Sequence, residues 1–171
     1  FALDNHIQRL NVLHHNLERL GIKNVISIRK EAQFADDLNK KFDYILLDAP
    51  CSGNFCIEKN YFDQRNLIDI RERAKVQKEL LKTAYKILKP GATLVYSTCS
   101  LEPEENEMMM DWFIKKYDDV SLVDTGLGVG DNGFTKAFTH EFDPSLALTK
   151  RIWPHKTGMQ GFFIAKLTKS L

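Results

Sequence analysis

The chain lacks what would mark a secreted, membrane-spanning or metal-binding protein. It has three cysteines, an odd number and widely spaced. That argues against a disulfide scaffold and for a reducing compartment. No apolar run approaches the roughly 20 residues of a membrane span. The net charge is +1, so no global excess of one sign announces a nucleic acid or a membrane. The five histidines (His6, His14, His15, His140 and His155) stand at no Cys/His ligand spacing, and no metal site is expected. There is no initiator Met. The sequence opens Phe1-Ala2-Leu3-Asp4, as though entered in mid-strand. The expectation is a cytoplasmic, monomeric protein without membrane or metal.

What is present is a globular composition: 171 residues, 43% hydrophobic, 27% charged and 11% aromatic. This suits one domain with a real core and excludes disorder. Residues 5–20 carry Ile7, Leu10, Leu13, Leu17 and Leu20 at helical spacing, with Gly21 as a stop. Residues 25–28 form a short β-branched run. Residues 44–47 are a continuous apolar run bounded by Asp48 and Pro50, the pattern of a fully buried parallel strand. A long helix follows, striped by Ile70, Ala74, Gln77, Leu81, Ala84 and Leu88, and Pro90-Gly91 ends it. Residues 93–96 are the next strand. Pro103 suits a first helical position, with Glu104 and Glu105 where the helix dipole favours negative charge. Residues 161–167 close the chain as a strand.

Strand and helix in alternation predict an α/β fold with a mostly parallel sheet covered by helices on both faces. Ligands in such sheets bind beyond the carboxyl ends of the strands. Asp4, Asp48 to Cys51, and Ser97 to Ser100 each follow a strand and are expected along one rim. Residues 124–149 dissolve into Gly, Thr, Asp and Pro and are expected to form a loop or insertion within a single domain. Gly128-Val129-Gly130-Asp131-Asn132-Gly133 matches G-x-G-x-x-G, but no amphipathic helix follows, so it reads as a loop. Charge is sorted locally. Residues 71–89 hold seven Lys/Arg against two Glu, which is either a solvated helix face or a surface for a phosphate backbone.

Cys99 and Cys51 end neighbouring apolar strands, and Asp48 stands beside Cys51 in sequence. A lone Cys is ordinarily a small buried hydrophobe. Two converging with a carboxylate on one crevice point to nucleophilic catalysis with acid/base support, and a helix start near Pro103 would favour a thiolate. Cys56 has no such context and is read as structural.

In this order, Asp48-Ala49-Pro50-Cys51-Ser52-Gly53, Tyr96-Ser97-Thr98-Cys99-Ser100 and Glu104-Glu105-Asn106-Glu107 resemble the signature of the Nop/Sun-type, RsmB-related RNA cytosine-5 methyltransferases. Gln77 with Leu80-Leu81, Lys89-Pro90-Gly91 and Gly161 to Ala165 also fit. The resemblance implies a Rossmann-like fold, an RNA substrate (transfer RNA ahead of ribosomal RNA) and S-adenosylmethionine as methyl donor. It implies that Cys99 is the nucleophile adding to carbon 6 of cytosine and that Cys51 serves product release. It implies that Asp48 contacts the ring nitrogen edge and the cofactor. Asp4 would take the ribose hydroxyls, Arg9 lies near the same pocket, and Glu31 stands where the family places an Asp near adenine. Asn54-Phe55 replaces the family's Thr-Gly, a change expected to concern substrate fit. Family members also carry a strand and a Gly-rich loop before the strand ending at Asp4. The chain is therefore expected to be the C-terminal part of a catalytic domain, inactive alone. The alternative is a non-catalytic RNA- or protein-binding module. Titration with S-adenosylmethionine separates the two.

Overall fold

The computed structural model describes residues 1–54, 59–64 and 66–171, without the side chain of Phe62. Cys56 and Phe55 lie outside the described residues. The chain divides into two compact units, Phe1–Lys40 and Lys41–Leu171.

The first unit is a strand-helix-strand. Strand β1 (Ala2–Asp4) leads into helix α1 (Ile7–Arg19), and β2 (Ser27–Arg29) returns parallel to β1 with Asp4 opposite Arg29. Helix α1 stops where expected. Gly21 takes φ +67°, and the amides of Gly21 and Ile22 cap the carbonyls of Glu18 and Leu17. Leu10 and Ala35 are its buried apolar side chains. A 3₁₀ turn, Ala32–Leu38, follows β2.

The second unit holds a six-stranded sheet. Its elements are β3 (Phe42–Asp48), a short helix α2 (Tyr61–Gln64), α3 (Leu67–Ile87), β4 (Leu88–Thr98), α4 (Glu107–Lys116), β5 (Val120–Val123), β6 (Asp131–Asn132), β7 (Lys136–Ala137), β8 (His140–Glu141), β9 (Lys150–Ile152), α5 (Pro154–Thr157) and β10 (Phe162–Lys169). The strand order is β3-β4-β10-β9-β6, with β5 also paired to β10, while β7 and β8 form a separate hairpin. Asn66 starts α3 with a reciprocal capping box, its side chain accepting from Ile68 and Asp69 while Asp69 accepts from the Asn66 amide. Leu81, Leu94, Tyr96, Phe113, Phe163 and Leu167 are fully buried in the core. Each contributes about 1.5–3 kcal/mol by leaving water.

The α/β class holds, but the strand directions differ from the expectation. Only β1–β2 and β3–β4 run parallel among the described strands. β10 lies antiparallel to β4, β5 and β9, and β6 antiparallel to β9. The reason is connection length: β9 reaches β10 through one turn of helix, too short for a parallel crossover. Residues 44–47 are not buried on both faces either. β3 ends the strand order, and Tyr44 and Leu46 are 81% and 73% exposed while Ile45 and Leu47 face the core. The helix read from residue 70 stops at Ile87, and β4 already runs through Pro90-Gly91. Residues 124–149 are ordered rather than featureless: Leu146 and Thr149 are fully buried, and Phe142 joins the core. Gly133 opens no helix: the hairpin of β7 and β8 comes next.

Candidate active site

Asp48 and Ser97 are register partners at the carboxyl ends of the parallel pair β3–β4. Both strands therefore deliver their next residues to one edge. The Ala49 amide donates to the Ser97 carbonyl at 2.9 Å, and Ser97 Oγ donates to Asp48 Oδ1 at 3.0 Å. The loop after β3 turns at Gly53, whose φ of +79° a side chain would resist. It brings Cys51 Sγ to 3.1 Å from Cys99 Sγ. Both thiols are free and half-buried, and Asp48 is exposed beside them. The second unit thus assembles Asp48, Cys51 and Cys99 as the strand ends imply.

The thiols share their protons. The Cys99 thiol, by hydrogen-bonding to Cys51, lowers the Cys51 pKa to about 7 against the opposing effect of burial, with the Gly53 backbone helping. The same contact, with burial and the nearby Asp48 charge, raises Cys99. The pair ionises as one unit, a thiolate held by a thiol.

A buried carboxylate underpins this loop. Glu105 has no solvent exposure and accepts from the Ser52 amide at 3.0 Å, from Ser52 Oγ at 2.6 Å and from Gln77 Nε2 at 3.0 Å. Gln77 Nε2 also donates to the Pro50 carbonyl at 2.9 Å. The chain after β4 is tied as firmly. Three consecutive carbonyls each accept a side-chain donor: Cys99 from Asn54 Nδ2 at 2.5 Å, Ser100 from Asn106 Nδ2 at 3.0 Å, and Leu101 from Arg151 Nη1 at 2.9 Å. Arg151 is in turn paired with Glu107 with no exposure on either residue, its Nε 2.6 Å from Oε1.

The sequence reading missed most of this support. It placed Glu105 at a helix start opened by Pro103; a 3₁₀ turn, Pro103–Glu105, does begin there, but α4 begins at Glu107, and Glu105 and Glu107 are both buried. Gln77 gave a signal, being the one polar residue on an apolar stripe. Asn54 was expected to bear on substrate fit; it is 1% exposed, with its amide turned onto Cys99.

In the first unit, Asp4 and Glu31 follow the two parallel strands. Arg9 clasps Asp4 with Nε at 2.7 Å from Oδ2 and Nη2 at 2.9 Å from Oδ1, and the His6 amide adds a third bond. These contacts, Arg9 first, hold the Asp4 pKa at about 2. A carboxylate offers about four acceptor sites, so Asp4 stays ionised with room for a further donor such as a ribose hydroxyl. Glu31 is exposed and accepts from Gln33 Nε2 at 2.8 Å. Among the described residues no group of three or more His, Cys, Asp or Glu could hold a metal, and no helix is long and apolar enough to cross a membrane.

A methyltransferase homologue from Pyrococcus horikoshii superposes with a TM-score of 0.88 at 39% identity, covering 99% of this chain and 52% of that one. NSun6 from the same organism, solved with the S-adenosylmethionine analogue SFG, gives 0.85 at 36% identity over 99% of this chain and 41% of its own. The fold is that of the S-adenosylmethionine-dependent methyltransferases. The family described as 16S rRNA methyltransferase RsmB/F matches residues 1–168, and the chain belongs to it. The 28S rRNA (cytosine(4447)-C(5))-methyltransferase of Homo sapiens is 42% identical over 98% of this chain and 21% of its own length. The tRNA (cytosine(72)-C(5))-methyltransferase of Pyrococcus horikoshii is 36% identical over 98% of this chain and 40% of its own. The chain therefore spans about a fifth and two fifths of the length of these two curated relatives.

Proposed function

We propose that this chain carries the base-reacting site of an RNA cytosine-C5 methyltransferase that uses S-adenosylmethionine. The observation that carries the reading is the 3.1 Å contact of two free thiols at the carboxyl ends of paired strands, beside an exposed Asp48. Carbon 5 of cytosine is a weak nucleophile. A thiolate adding to carbon 6 pushes electron density to carbon 5 and makes it an enamine-like nucleophile. In this reading the proton of Cys99 passes to the Cys51 thiolate across their contact, and Cys99 Sγ adds to carbon 6. Asp48 would pair with the ring nitrogen edge through a proton held between its carboxyl and the nitrogen, and that proton offsets the negative charge that develops there as the thiolate adds, an effect typically worth a few kcal/mol. S-adenosylmethionine, when bound, supplies the electrophilic methyl group. Asp4, fixed by Arg9, would accept from its ribose, and Glu31 would lie toward its adenine. After transfer the carbon 5 proton leaves, the ring expels Cys99, and Cys51 assists that release.

Transfer RNA is the substrate class we place first, supported by the archaeal relative of which this chain covers the larger share, with the protein acting as a cytoplasmic monomer. Cys99→Ala should abolish methylation. Cys51→Ala should form the adduct more slowly but fail to release it, so that covalent RNA accumulates and is visible on a denaturing gel. Normal methylation by Cys99→Ala would overturn the mechanism. Bisulfite sequencing of RNA from a deletion strain distinguishes transfer from ribosomal RNA.

A further inference from the structure

The Cys51 loop and the Cys99 loop come from different strands, yet the distance between their sulfurs decides whether one thiol can hand a proton to the other. Across the two loops, Ser52 Oγ and Ser100 Oγ are 3.4 Å apart, at the limit of a hydrogen bond. Asn54 Nδ2 reaches the Cys99 carbonyl itself at 2.5 Å. Asn106 and Arg151, which hold the next two carbonyls, both lie after Cys99, on the far side of the Cys51 loop in sequence. Asn54 is thus the one of the three clamps that joins the two cysteine loops. Its surroundings are built for that contact. It is 1% exposed, and Gly161 beside it leaves the needed space: a Cβ there would stand 3.3 Å from Asn54 Nδ2 and 2.9 Å from Leu101.

We propose that Asn54 is a positioning residue that sets the Cys51–Cys99 spacing by anchoring the Cys99 carbonyl to the Cys51 loop. This deepens the proposed function and rests on it for its catalytic consequence, but the spacing itself is readable without RNA. Without the Asn54 donor, the Cys99 carbonyl loses the bond that holds its backbone, and Cys99 Sγ is free to leave Cys51. Asn54→Asp keeps the shape and faces the carbonyl with an acceptor, so the two repel; Asn54→Ala removes the donor without charge.

The test is the pH dependence of iodoacetamide alkylation at Cys51 and Cys99, resolved by peptide mass spectrometry on the full chain, with a thermal melt for each variant. The wild type should show a Cys51 midpoint near 7. In Asn54→Ala and Asn54→Asp it should rise by about one unit or more toward that of a free cysteine. In methylation assays kcat should fall roughly tenfold or more with KM nearly unchanged, because misplacement of the reacting atom is felt in the chemical step. An unchanged midpoint in a folded variant overturns the proposal. So does loss of cooperative folding in both variants, which would make Asn54 a stability residue. If the natural protein that contains this chain, supplied with S-adenosylmethionine and RNA, proves unable to methylate cytosine, the function fails while the thiol titration still decides the role of Asn54.

Discussion

Glu105 grips Ser52 by both its amide and its hydroxyl, and neither residue meets solvent appreciably. A buried carboxylate has to be satisfied by donors, and here Ser52 of the Cys51 loop supplies two and Gln77 a third. Glu105→Ala would strand two donors of Ser52 and one of Gln77. At about 1–3 kcal/mol for each buried polar group left unpaired, with partial relaxation, the loss should come to about 3 kcal/mol. For a chain of this length that lowers Tm by roughly 6–12 °C in a calorimetric scan. Glu105→Gln should cost less stability and shift the thiols in a known direction. The negative charge of Glu105 raises the Cys51 pKa, so its removal should lower the alkylation midpoint below about 7.

The sulfur pair makes a prediction about pH and one about oxidants. A thiolate forms in the pair as pH rises through about 7, so thiol reactivity should climb across that value and flatten above it, rather than rising only near 8.5 as a free cysteine does. At 3.1 Å the second thiol stands ready to resolve an oxidised first one. Hydrogen peroxide should convert the Cys51 thiolate to a sulfenic acid with release of hydroxide, and the Cys99 thiol should then displace water from it to give the disulfide. Mass spectrometry should find a Cys51–Cys99 cross-linked peptide two hydrogens lighter, reversed by a dithiol. Separate sulfenic or sulfinic acids without the cross-link would count against the spacing.

The candidate site residues were legible in the sequence because strand ends punctuate it. Asp48 and Cys51 follow one apolar run and Cys99 another, and parallel pairing of β3 with β4 sends both to one edge. What supports them was not legible. Glu105 and Glu107 look like ordinary acids at a helix start, because burial depends on what packs over them: Ser52 and Gln77 in one case, Arg151 from far along the chain in the other. The run at residues 44–47 looks buried on both faces because all four residues are apolar. Alternate side chains of a strand point to opposite faces, and the core packs on the face of Ile45 and Leu47 while Tyr44 and Leu46 on the other stay exposed, which no local pattern encodes. Antiparallel β10 was equally hidden, since direction is set by the connection that precedes it.

Arg9 and Asp4 allow a direct titration. Arg9 holds the Asp4 carboxyl at about 2, chiefly by its hydrogen bonds. Arg9→Ala should raise that value toward an ordinary aspartate, and a carboxyl-detected NMR titration would read it. The sign for stability is that of a depressed acid. The contribution is present above the unfolded pKa of about 4 and disappears as pH falls toward 2. Both side chains reach solvent, Arg9 at 63%, so the effect on overall stability should be small. Affinity for S-adenosylmethionine, followed by calorimetry, should drop if the fixed orientation of Asp4 matters to ribose binding.

Arg151 and Glu107 test whether a buried charge pair orders the Cys99 loop or merely tolerates burial. Arg151 lies over the ring of Phe134, 4.4 Å from ring centre to guanidinium carbon, and turns a further donor, Nη1, onto the Leu101 carbonyl, two residues past Cys99. Arg151→Met leaves Glu107 charged and unmatched in the interior, which should cost about 3–5 kcal/mol. Arg151→Met combined with Glu107→Met removes both charges and should recover most of that loss, since well-packed apolar replacements of buried pairs are often neutral. The Leu101 carbonyl stays unpaired in the double variant as in the single one. If the pair serves only stability, the double variant should regain its Tm and its normal thiol titration together. If the Arg151 bond to Leu101 orders the Cys99 loop, Tm should return while the alkylation midpoint of Cys51 stays above that of the wild type. The two readouts in one variant separate these roles.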